Sequence, residues 1–200
     1  MERQATAHQQ HNNTMSFPSI FSSLTADAIS ASESLSVMME QERQCYFSND
    51  YLPNELHCHD GDSSVTHSDR TKIVFWMYSV IDHCQFDPET VAVAMGLVDR
   101  FLSRGKDNKI TKQAVKNWWK YQLTAVSALY IAIKINESVA FDSDAFSAMS
   151  PDNYTAEEIK EMEMIILKGV EWRVWGPTSL QMANYILSLV FSRLHEDELY

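Results

Sequence analysis

From residue 68 onward, apolar residues recur at the three- and four-residue spacing that is typical of amphipathic helices. Short polar connections with helix-start signals separate these segments. Asp87-Pro88-Glu89 combines an N-cap, a proline in the first turn and an acidic residue at the positive end of the helix dipole. Thr155 and Glu158 form a capping-box pattern. The pattern predicts helices over residues 69–83, 87–103, 111–137, 142–149 and 155–169, and a further helix from Pro177.

The second half of the predicted 111–137 helix is apolar almost all round. LTAVSALYIAIK, residues 123–134, is typical of a helix that is surrounded by others. Lys134 ends this stretch, although desolvating an ammonium group is costly. A lysine near a helix C-terminus is favoured by the macrodipole and can extend its charge to water, so Lys134 needs no partner. No segment has a strand pattern, and we predict an all-α domain with one central helix.

The N-terminal part of the chain has a different composition. Residues 1–34 are rich in Gln, Asn, Ser, Thr and Ala, and their low apolar content predicts a disordered tail. A short amphipathic helix is predicted over residues 35–46, and a polar loop follows it to residue 65. Within the tail, four residues have the spacing either of a partner-binding helical segment or of a transient helix without a partner: Phe17, Ile20, Phe21 and Leu24.

The composition agrees with helices and limits the function. Gly and Pro number only five each in 200 residues, which is too few for the turns of an all-β chain. The net charge of -11 argues against a nucleic-acid-binding surface as the main function. Three scattered cysteines, no secretory signal and no apolar run of membrane-spanning length predict a soluble intracellular protein with free thiols.

Four segments, in order along the chain, resemble a cyclin box. WMYSVIDHCQFDPETVAVAMGLVDRFLS is similar to the first two helices of the family, and YQLTAVSALYIAIKINE to its central third helix. YTAEEIKEMEMIILKGVEWRV resembles the fifth helix, and GPTSLQMANYIL the entry to the second cyclin fold. MMEQERQCYFSNDYL is similar to the N-terminal helix of D-type cyclins. The resemblance implies an all-α, five-helix cyclin box over residues 66–176, preceded by the tail and by the helix and loop of residues 35–65.

Residues 177–200 are too few for a second five-helix cyclin fold. We expect them to be either the start of that fold in a truncated chain or a terminal helix packed on the first box.

The resemblance gives roles to several charged residues. Arg70 and Asp99 match the arginine and aspartate that pair inside the cyclin box, which implies a buried ion pair between the first two helices. Lys134 and Glu163 match the lysine and glutamate with which cyclins hydrogen-bond the kinase backbone. Taken singly, each of these residues could be an ordinary surface charge. The kinase-binding face is expected to include four apolar residues: Ile131, Ile135, Leu167 and Trp172.

The resemblance also implies a substrate-docking patch of Ile73, Trp76 and Gln122. However, Asp69 and Lys72 stand where apolar side chains are usual, and both charges would be costly to desolvate against a docking peptide. We therefore expect no substrate docking in the usual manner.

The polar loop contains two motif-like features. Residues 56–60, Leu-His-Cys-His-Asp, differ by one residue from the L-x-C-x-E retinoblastoma-binding motif, a similarity that chance readily produces. Together with His67 they offer several potential zinc ligands, but no second Cys-x-x-Cys pair completes a tetrahedral set. We predict no metal site and no cofactor.

Six of the 16 basic residues lie between residues 104 and 120. Lys112, Lys116 and Lys120 are four residues apart, which predicts one stripe along a helix. This stripe is either a solvated face of an acidic protein or a site for an acidic or phosphorylated partner. The other three basic residues are Arg104, Lys106 and Lys109.

The function implied by the resemblance is regulatory and not enzymatic. We expect a subunit that binds and activates a cyclin-dependent kinase in the nucleus and cytoplasm, and that controls cell-cycle progression at G1/S. Further expected partners are substrates or inhibitors of the kinase, with no nucleic acid and no membrane. The alternative is a cyclin-fold adaptor or transcription-related protein without a kinase-activating role, which would have no use for Lys134 and Glu163.

Overall fold

The structure, a computed structural model, describes residues 17–52, 64–104, 109–139, 141–151 and 154–197. These residues form α-helices and no strand, as the sequence predicted. The helices are α1 (Phe17–Gln41), α2 (His67–Cys84), α3 (Glu89–Arg104), α4 (Lys109–Lys116), α5 (Trp118–Asn136), α6 (Ser143–Met149), α7 (Ala156–Gly169) and α8 (Ser179–Asp197). A π-helical turn, Glu42–Tyr46, follows α1.

The first helix is longer than predicted. It begins at Phe17, inside the segment expected to be a tail, and not near residue 35. After Pro18 it contains neither Gly nor Pro, and a proline in the first turn lacks only an N–H that has no helical partner anyway. The remainder of the predicted tail, and residues 53–63 of the predicted loop, lie outside the described residues.

The chain divides into two compact units. Residues 38–182 form one of them and contain all of α2 to α7. The part of α1 before Met38 and the part of α8 after Met182 belong to the other unit. For residues 177–200, the two predicted alternatives, the start of a second cyclin fold or a terminal helix packed on the first box, both stay open.

Helix α5 is the centre of the 38–182 unit, as predicted. Every residue from Thr124 to Ile133 is buried. Helices α2, α3, α4 and α7 all pack against α5, and α6 packs against α7. The buried run ends at Ile133, and the next residue, Lys134, is exposed. Its position at the exit of the central helix explains how a charge follows an apolar stretch.

The predicted 111–137 helix is two helices in the structure. Asn117 has an extended backbone, with φ -140° and ψ 113°, and separates α4 from α5. Its side-chain oxygen accepts a hydrogen bond from the Lys120 N–H at 3.1 Å, which caps α5. Asparagine favours such a cap over a helix interior because its side chain competes for backbone hydrogen bonds.

Local capping interactions also fix the starts of α6 and α7. At α7, the Thr155 and Glu158 side chains each accept a hydrogen bond from the other's backbone N–H, which confirms the predicted capping box. Asp142 caps α6 through a hydrogen bond from the Ala145 N–H. At the end of α7, Gly169 lets the helix approach α3, because a Cβ at this position would lie 2.6 Å from the Phe101 ring.

Candidate functional site

The structure brings Lys134 and Glu163 together. Lys134 lies in the last turn of α5, and Glu163 lies in the middle of α7. The Lys134 ammonium donates a hydrogen bond to Glu163 Oε1 and lies 4.8 Å from the centre of the Tyr130 ring. The Lys134 side chain is 41% exposed and that of Glu163 is 12% exposed. The carboxylate is thus held at the edge of the core, while the ammonium faces solvent.

The four apolar residues predicted beside this pair are not equally accessible. Ile135 is partly buried and Trp172 is exposed. Ile131 and Leu167, however, are buried in the core at 2% and 8% exposure. These two residues therefore support the face from beneath and offer almost no contact area themselves, and the assignment of the four residues to a kinase-binding face stays a prediction. Helical spacing predicts on which side of its helix each of these residues lies, but it does not predict how deeply neighbouring helices bury that side.

Trp172 lies in a strained turn that follows α7. Glu171 and Trp172 both have a left-handed backbone, with φ of 56° and 60°. Such conformations are unfavourable for residues with a Cβ, at about 1 kcal/mol or more each. The Trp172 N–H donates to the Leu167 carbonyl at 2.8 Å, and the Val174 N–H donates to the Trp172 carbonyl at 3.0 Å. The turn therefore holds a large apolar ring, 61% exposed, at a fixed place.

Arg100, which the sequence did not indicate, fastens this turn to α3. Its guanidinium is buried and donates hydrogen bonds to the Arg173 carbonyl at 2.5 Å and the Val174 carbonyl at 3.5 Å. It also lies 4.8 Å from the centre of the Tyr46 ring. Burial lowers the pKa of Arg100 to about 10, so the group is still charged at neutral pH. The cation binds carbonyl groups and thereby fixes the segment that presents Trp172.

A second unforeseen cluster fixes the end of α5. The Glu137 carboxylate accepts hydrogen bonds from the Asp87 N–H at 3.1 Å and the Thr90 hydroxyl at 2.5 Å. The Asn136 amide donates to the same Thr90 hydroxyl at 2.6 Å. These bonds tie the residues just after Lys134 to the start of α3, so the predicted site has a rigid support.

Arg70 and Asp99 form the predicted ion pair between α2 and α3. The pair is bidentate: Nη1 lies 2.5 Å from Oδ1, and Nη2 lies 2.8 Å from Oδ2. It is only partly buried, with side-chain exposures of 29% and 24%, because α2 and α3 meet near the surface. The Tyr51 hydroxyl, which the sequence did not single out, donates to Asp99 Oδ1 at 3.0 Å and accepts from Arg70 at 3.0 Å.

Contacts within this three-residue cluster, Arg70–Asp99–Tyr51, shift the pKa values of Tyr51 and Arg70. Burial and then the Asp99 charge raise the pKa of Tyr51. Burial alone would lower the pKa of Arg70, but the hydrogen bond and charge of Asp99 outweigh it and raise the pKa. Both shifts keep the proton on its group at neutral pH, so Tyr51 stays neutral and Arg70 stays charged.

Comparison with known proteins gives the family. The model of the cyclin N-terminal domain matches residues 33–175, most of the chain. This chain belongs to the cyclin family. It is 29% identical over 154 residues to cyclin-D4-2 of Arabidopsis thaliana, an alignment that covers 76% of this chain and 48% of that protein.

Two further cyclins are similar over shorter stretches of the chain. The G2/mitotic-specific cyclin-B of Drosophila melanogaster is 33% identical over 119 residues, with 58% of this chain and 21% of that cyclin covered. The S-phase entry cyclin-5 of Saccharomyces cerevisiae is 31% identical over 117 residues, with 58% and 25% covered. The chain thus spans half or less of the length of these relatives.

The substrate-docking patch of cyclins is little exposed in this member of the family. Ile73 is buried at 2% exposure, and Trp76 is partly buried. Gln122 is buried at 4% exposure, and its side-chain oxygen lies 2.8 Å from the Tyr154 hydroxyl. This surface therefore offers a docking peptide little beyond Trp76, and the expectation that substrates do not dock here in the usual manner stays a prediction.

Of the two charged residues that interrupt the predicted docking patch, Asp69 belongs to the cap of α2 and Lys72 pairs with Asp69. The Asp69 carboxylate accepts from the Thr66 N–H at 3.2 Å and pairs with Lys72 at 3.0 Å. Burial opposes ionisation of Asp69, but the hydrogen bonds from Lys72 and Thr66 outweigh it and lower its pKa. A docking peptide would have to displace water from a stable ion pair, which is costly.

The structure bears on metal binding and membrane insertion only through the residues that it describes. No cluster of His, Cys, Asp or Glu in the described ranges could hold a metal ion. Of the loop residues considered as zinc ligands, His67 begins α2, and His57, Cys58, His59 and Asp60 lie outside those ranges, as does the L-x-C-x-E-like stretch. Within the same ranges, no helix has both the length and the apolar character needed to cross a membrane.

Proposed function

We propose that this cyclin binds a cyclin-dependent kinase through the surface around Lys134, Glu163 and Trp172 and thereby activates it. The observation that carries the proposal is the Lys134–Glu163 pair. Its two residues are 29 positions apart in the chain, come from different helices and meet at an exposed edge. An isolated surface lysine has no need of a buried carboxylate. The net contribution of such a partly exposed ion pair to stability is small, even though removing one partner costs more because the other charge is left unpaired.

The pair keeps bonding capacity for a partner. An ammonium group has three N–H donors, and within the described chain the Lys134 ammonium gives a hydrogen bond only to Glu163. In the same part of the chain, Glu163 Oε2 accepts no hydrogen bond. Donor and acceptor therefore lie side by side, an arrangement that suits the carbonyl and N–H groups of another protein's backbone.

The neighbouring apolar groups would supply the binding energy. Trp172 exposes most of its ring from a fixed turn, and exposed aromatic residues of this kind are frequent hot spots of protein interfaces. Glu137 and Arg100 hold the two ends of the surface in place, so little conformational entropy would be lost on binding.

The mechanism follows from the resemblance to cyclins. The surface would bind the regulatory C-helix of the kinase and move that helix's glutamate toward the lysine that positions ATP. An active protein kinase requires this ion pair. Because the cyclin binds the active arrangement more tightly, it shifts the kinase population toward that arrangement. The cyclin itself takes part in no chemical step and is a regulator, not an enzyme.

The phase and location belong to the same proposal. We place the function at the transition from G1 to S, in the nucleus and cytoplasm, because the chain resembles D-type cyclins in its N-terminal helix and has a D-type and an S-phase entry relative. The similarity to a G2/mitotic-specific cyclin makes a later phase the alternative. Synchronised cells depleted of the protein should then arrest with unreplicated DNA. Arrest with replicated DNA would assign the protein to a later phase and leave the kinase proposal intact.

The direct test compares kinase binding and histone phosphorylation between the wild type and Lys134→Ala/Glu163→Ala. We expect the variant to stay folded and to lose both binding and activation by at least about tenfold. The matched control is Glu157→Ala/Lys168→Ala, which removes one exposed charge of each sign from another side of α7. Activation by a folded double variant at the wild-type level would overturn the site. Absence of binding between the wild type and every cyclin-dependent kinase would favour the adaptor alternative.

A further inference from the structure

Four lysines line one groove on the side of α4 and the start of α5. They are Lys109, Lys112 and Lys116 on α4 and Lys120 on α5, with Gln113 and Asn117 between them. The groove has a volume of about 550 Å³, and all four lysines are exposed. The sequence suggested one continuous helical stripe. The structure instead folds the stripe at Asn117, so that lysines of two helices face the same space.

These lysines lack acidic partners in the described part of the chain. Within that part, no carboxylate oxygen lies within 4.0 Å of their ammonium nitrogens. The Lys120 ammonium donates a hydrogen bond to the Gln113 side-chain oxygen, which carries no charge. This contrasts with the protein as a whole, which has 27 acidic residues against 16 basic ones. The groove is therefore a concentrated positive site on a negative protein.

The arrangement opposes the stability of α4. This helix has only eight residues, and three of them are lysines on the groove side. Like charges three and four residues apart repel each other along a helix, and Lys109 lies at the positive end of the helix dipole. Charged residues that destabilise the helix on which they lie are more often present to bind a ligand than to stabilise the fold.

The start of α5 adds to the positive electrostatic potential of the groove. The Asn117 cap and the first turn of this 19-residue helix border the groove. The positive end of the α5 dipole therefore reinforces the lysines and favours an anion.

We propose that this groove binds a phosphorylated segment of a partner protein. Each phosphate carries about -1.5 to -2 charges at neutral pH, so two of them would balance most or all of the charge of the four lysines. Lys112 and Lys116 are separated by about 6 Å along α4. Alternate residues of an extended peptide are separated by about 6.6 Å, so phosphates two residues apart would meet successive lysines.

The surroundings favour a peptide over other polyanions. The basic groove is about 10 Å long between Lys109 and Lys116, which suits a few peptide residues. Nucleic acids and membranes present extended arrays of negative charge, which the acidic remainder of the protein would repel. A short peptide would meet only the groove.

The test measures binding of a fluorescein-labelled peptide in which phosphoserine alternates with glycine. The isolated chain is used without any kinase, so the outcome does not depend on the function proposed above. We expect a saturable rise in fluorescence anisotropy that weakens as salt is added. Lys112→Glu/Lys116→Glu should weaken binding at least about tenfold, because two attractive charges become repulsive. Lys160→Glu/Lys168→Glu, which changes the net charge equally at exposed sites on α7, should bind as the wild type does.

If the charge-reversal variant does not fold, Lys112→Gln/Lys116→Gln replaces it, and a smaller loss of affinity is then expected. Equal loss in the α7 control would mean that only net charge matters, and would overturn the proposal. So would equal binding of the unphosphorylated peptide, or tighter binding of single-stranded DNA or of phosphatidylserine vesicles than of the phosphopeptide. A folded groove variant that binds the phosphopeptide normally would overturn it as well.

Discussion

Within the described residues of this cyclin, two ion pairs join helices, and they are built differently. Arg70 and Asp99 make a bidentate contact and share a hydrogen-bonded tyrosine, and their side chains are about equally exposed, at 29% and 24%. Lys134 and Glu163 make one hydrogen bond and differ in exposure, at 41% and 12%. The first pair is closed within the protein, whereas the second is open to solvent on its lysine side.

We propose that this difference separates a structural pair from a binding pair. A bidentate contact satisfies both oxygens of the carboxylate and leaves little for another molecule. A single contact at an exposed edge leaves an ammonium and a carboxylate oxygen free to bind a partner. Similar residue types in similar places between helices can thus have different functions, and geometry distinguishes them better than residue identity does.

The largest expected effect on stability comes from breaking the closed pair. Asp99→Ala leaves the Arg70 cation without its partner between α2 and α3. Because the pair is only partly buried, we expect a loss of about 2 to 3 kcal/mol in the free energy of unfolding, below the 3 to 5 of fully buried pairs. Urea denaturation measures this quantity. Arg70→Ala should cost about as much, since both partners are similarly exposed, and an unchanged midpoint in both variants would contradict the structural role.

The open pair should respond unequally to the loss of each partner. Lys134→Met keeps an apolar stem but leaves the mostly buried Glu163 carboxylate without a cation, which we expect to cost about 1 to 2 kcal/mol of unfolding free energy. Glu163→Gln leaves the lysine in contact with water and should cost about 0.5 kcal/mol or less. Equal losses in the two variants, again by urea denaturation, would show that the pair is as closed as Arg70–Asp99.

A smaller effect is expected from Tyr51, the third member of the closed cluster. Tyr51→Phe removes two hydrogen bonds and should cost about 1 kcal/mol of unfolding free energy at neutral pH. The folded protein raises the pKa of Tyr51 above its ordinary value of 10.0, so the unfolded chain loses this proton first as pH rises. The stability from Tyr51 is therefore present below pH 10.0 and declines above it.

Urea denaturation of the wild type and of Tyr51→Phe, at neutral and at alkaline pH, measures how the stability contributed by Tyr51 changes with pH. The difference in unfolding free energy should shrink at alkaline pH. A difference that grows there would mean that folding favours the ionised tyrosine.

The sequence predicted the features that depend on local chemistry. The start of α7 followed from the Thr155–Glu158 capping box, and the buried α5 followed from its continuous apolar stretch. The break at Asn117 was missed because the apolar spacing continues on both sides of it, so periodicity outweighed the capping preference of asparagine.

The features of the site that the sequence did not predict depend on tertiary contacts. Tyr51 lies in a segment without any periodic pattern, and only the approach of that segment to α2 and α3 reveals its hydrogen bonds. The resemblance to cyclins supplied Lys134 and Glu163 as candidates, but their contact results from the packing of α5 on α7. The depth of Ile131 and Leu167 depends on the neighbouring helices, which helical spacing does not encode.

The central claim, that the open pair is a binding pair, is tested most directly by exchanging its charges. Lys134→Glu/Glu163→Lys can keep an ion pair between α5 and α7 but presents the opposite charges to a kinase. The measurement is the affinity of this variant for a cyclin-dependent kinase that the wild type activates. We predict a folded protein whose kinase affinity is at least about tenfold weaker than that of the wild type. Wild-type affinity in the exchanged variant would mean that the pair only holds the two helices together.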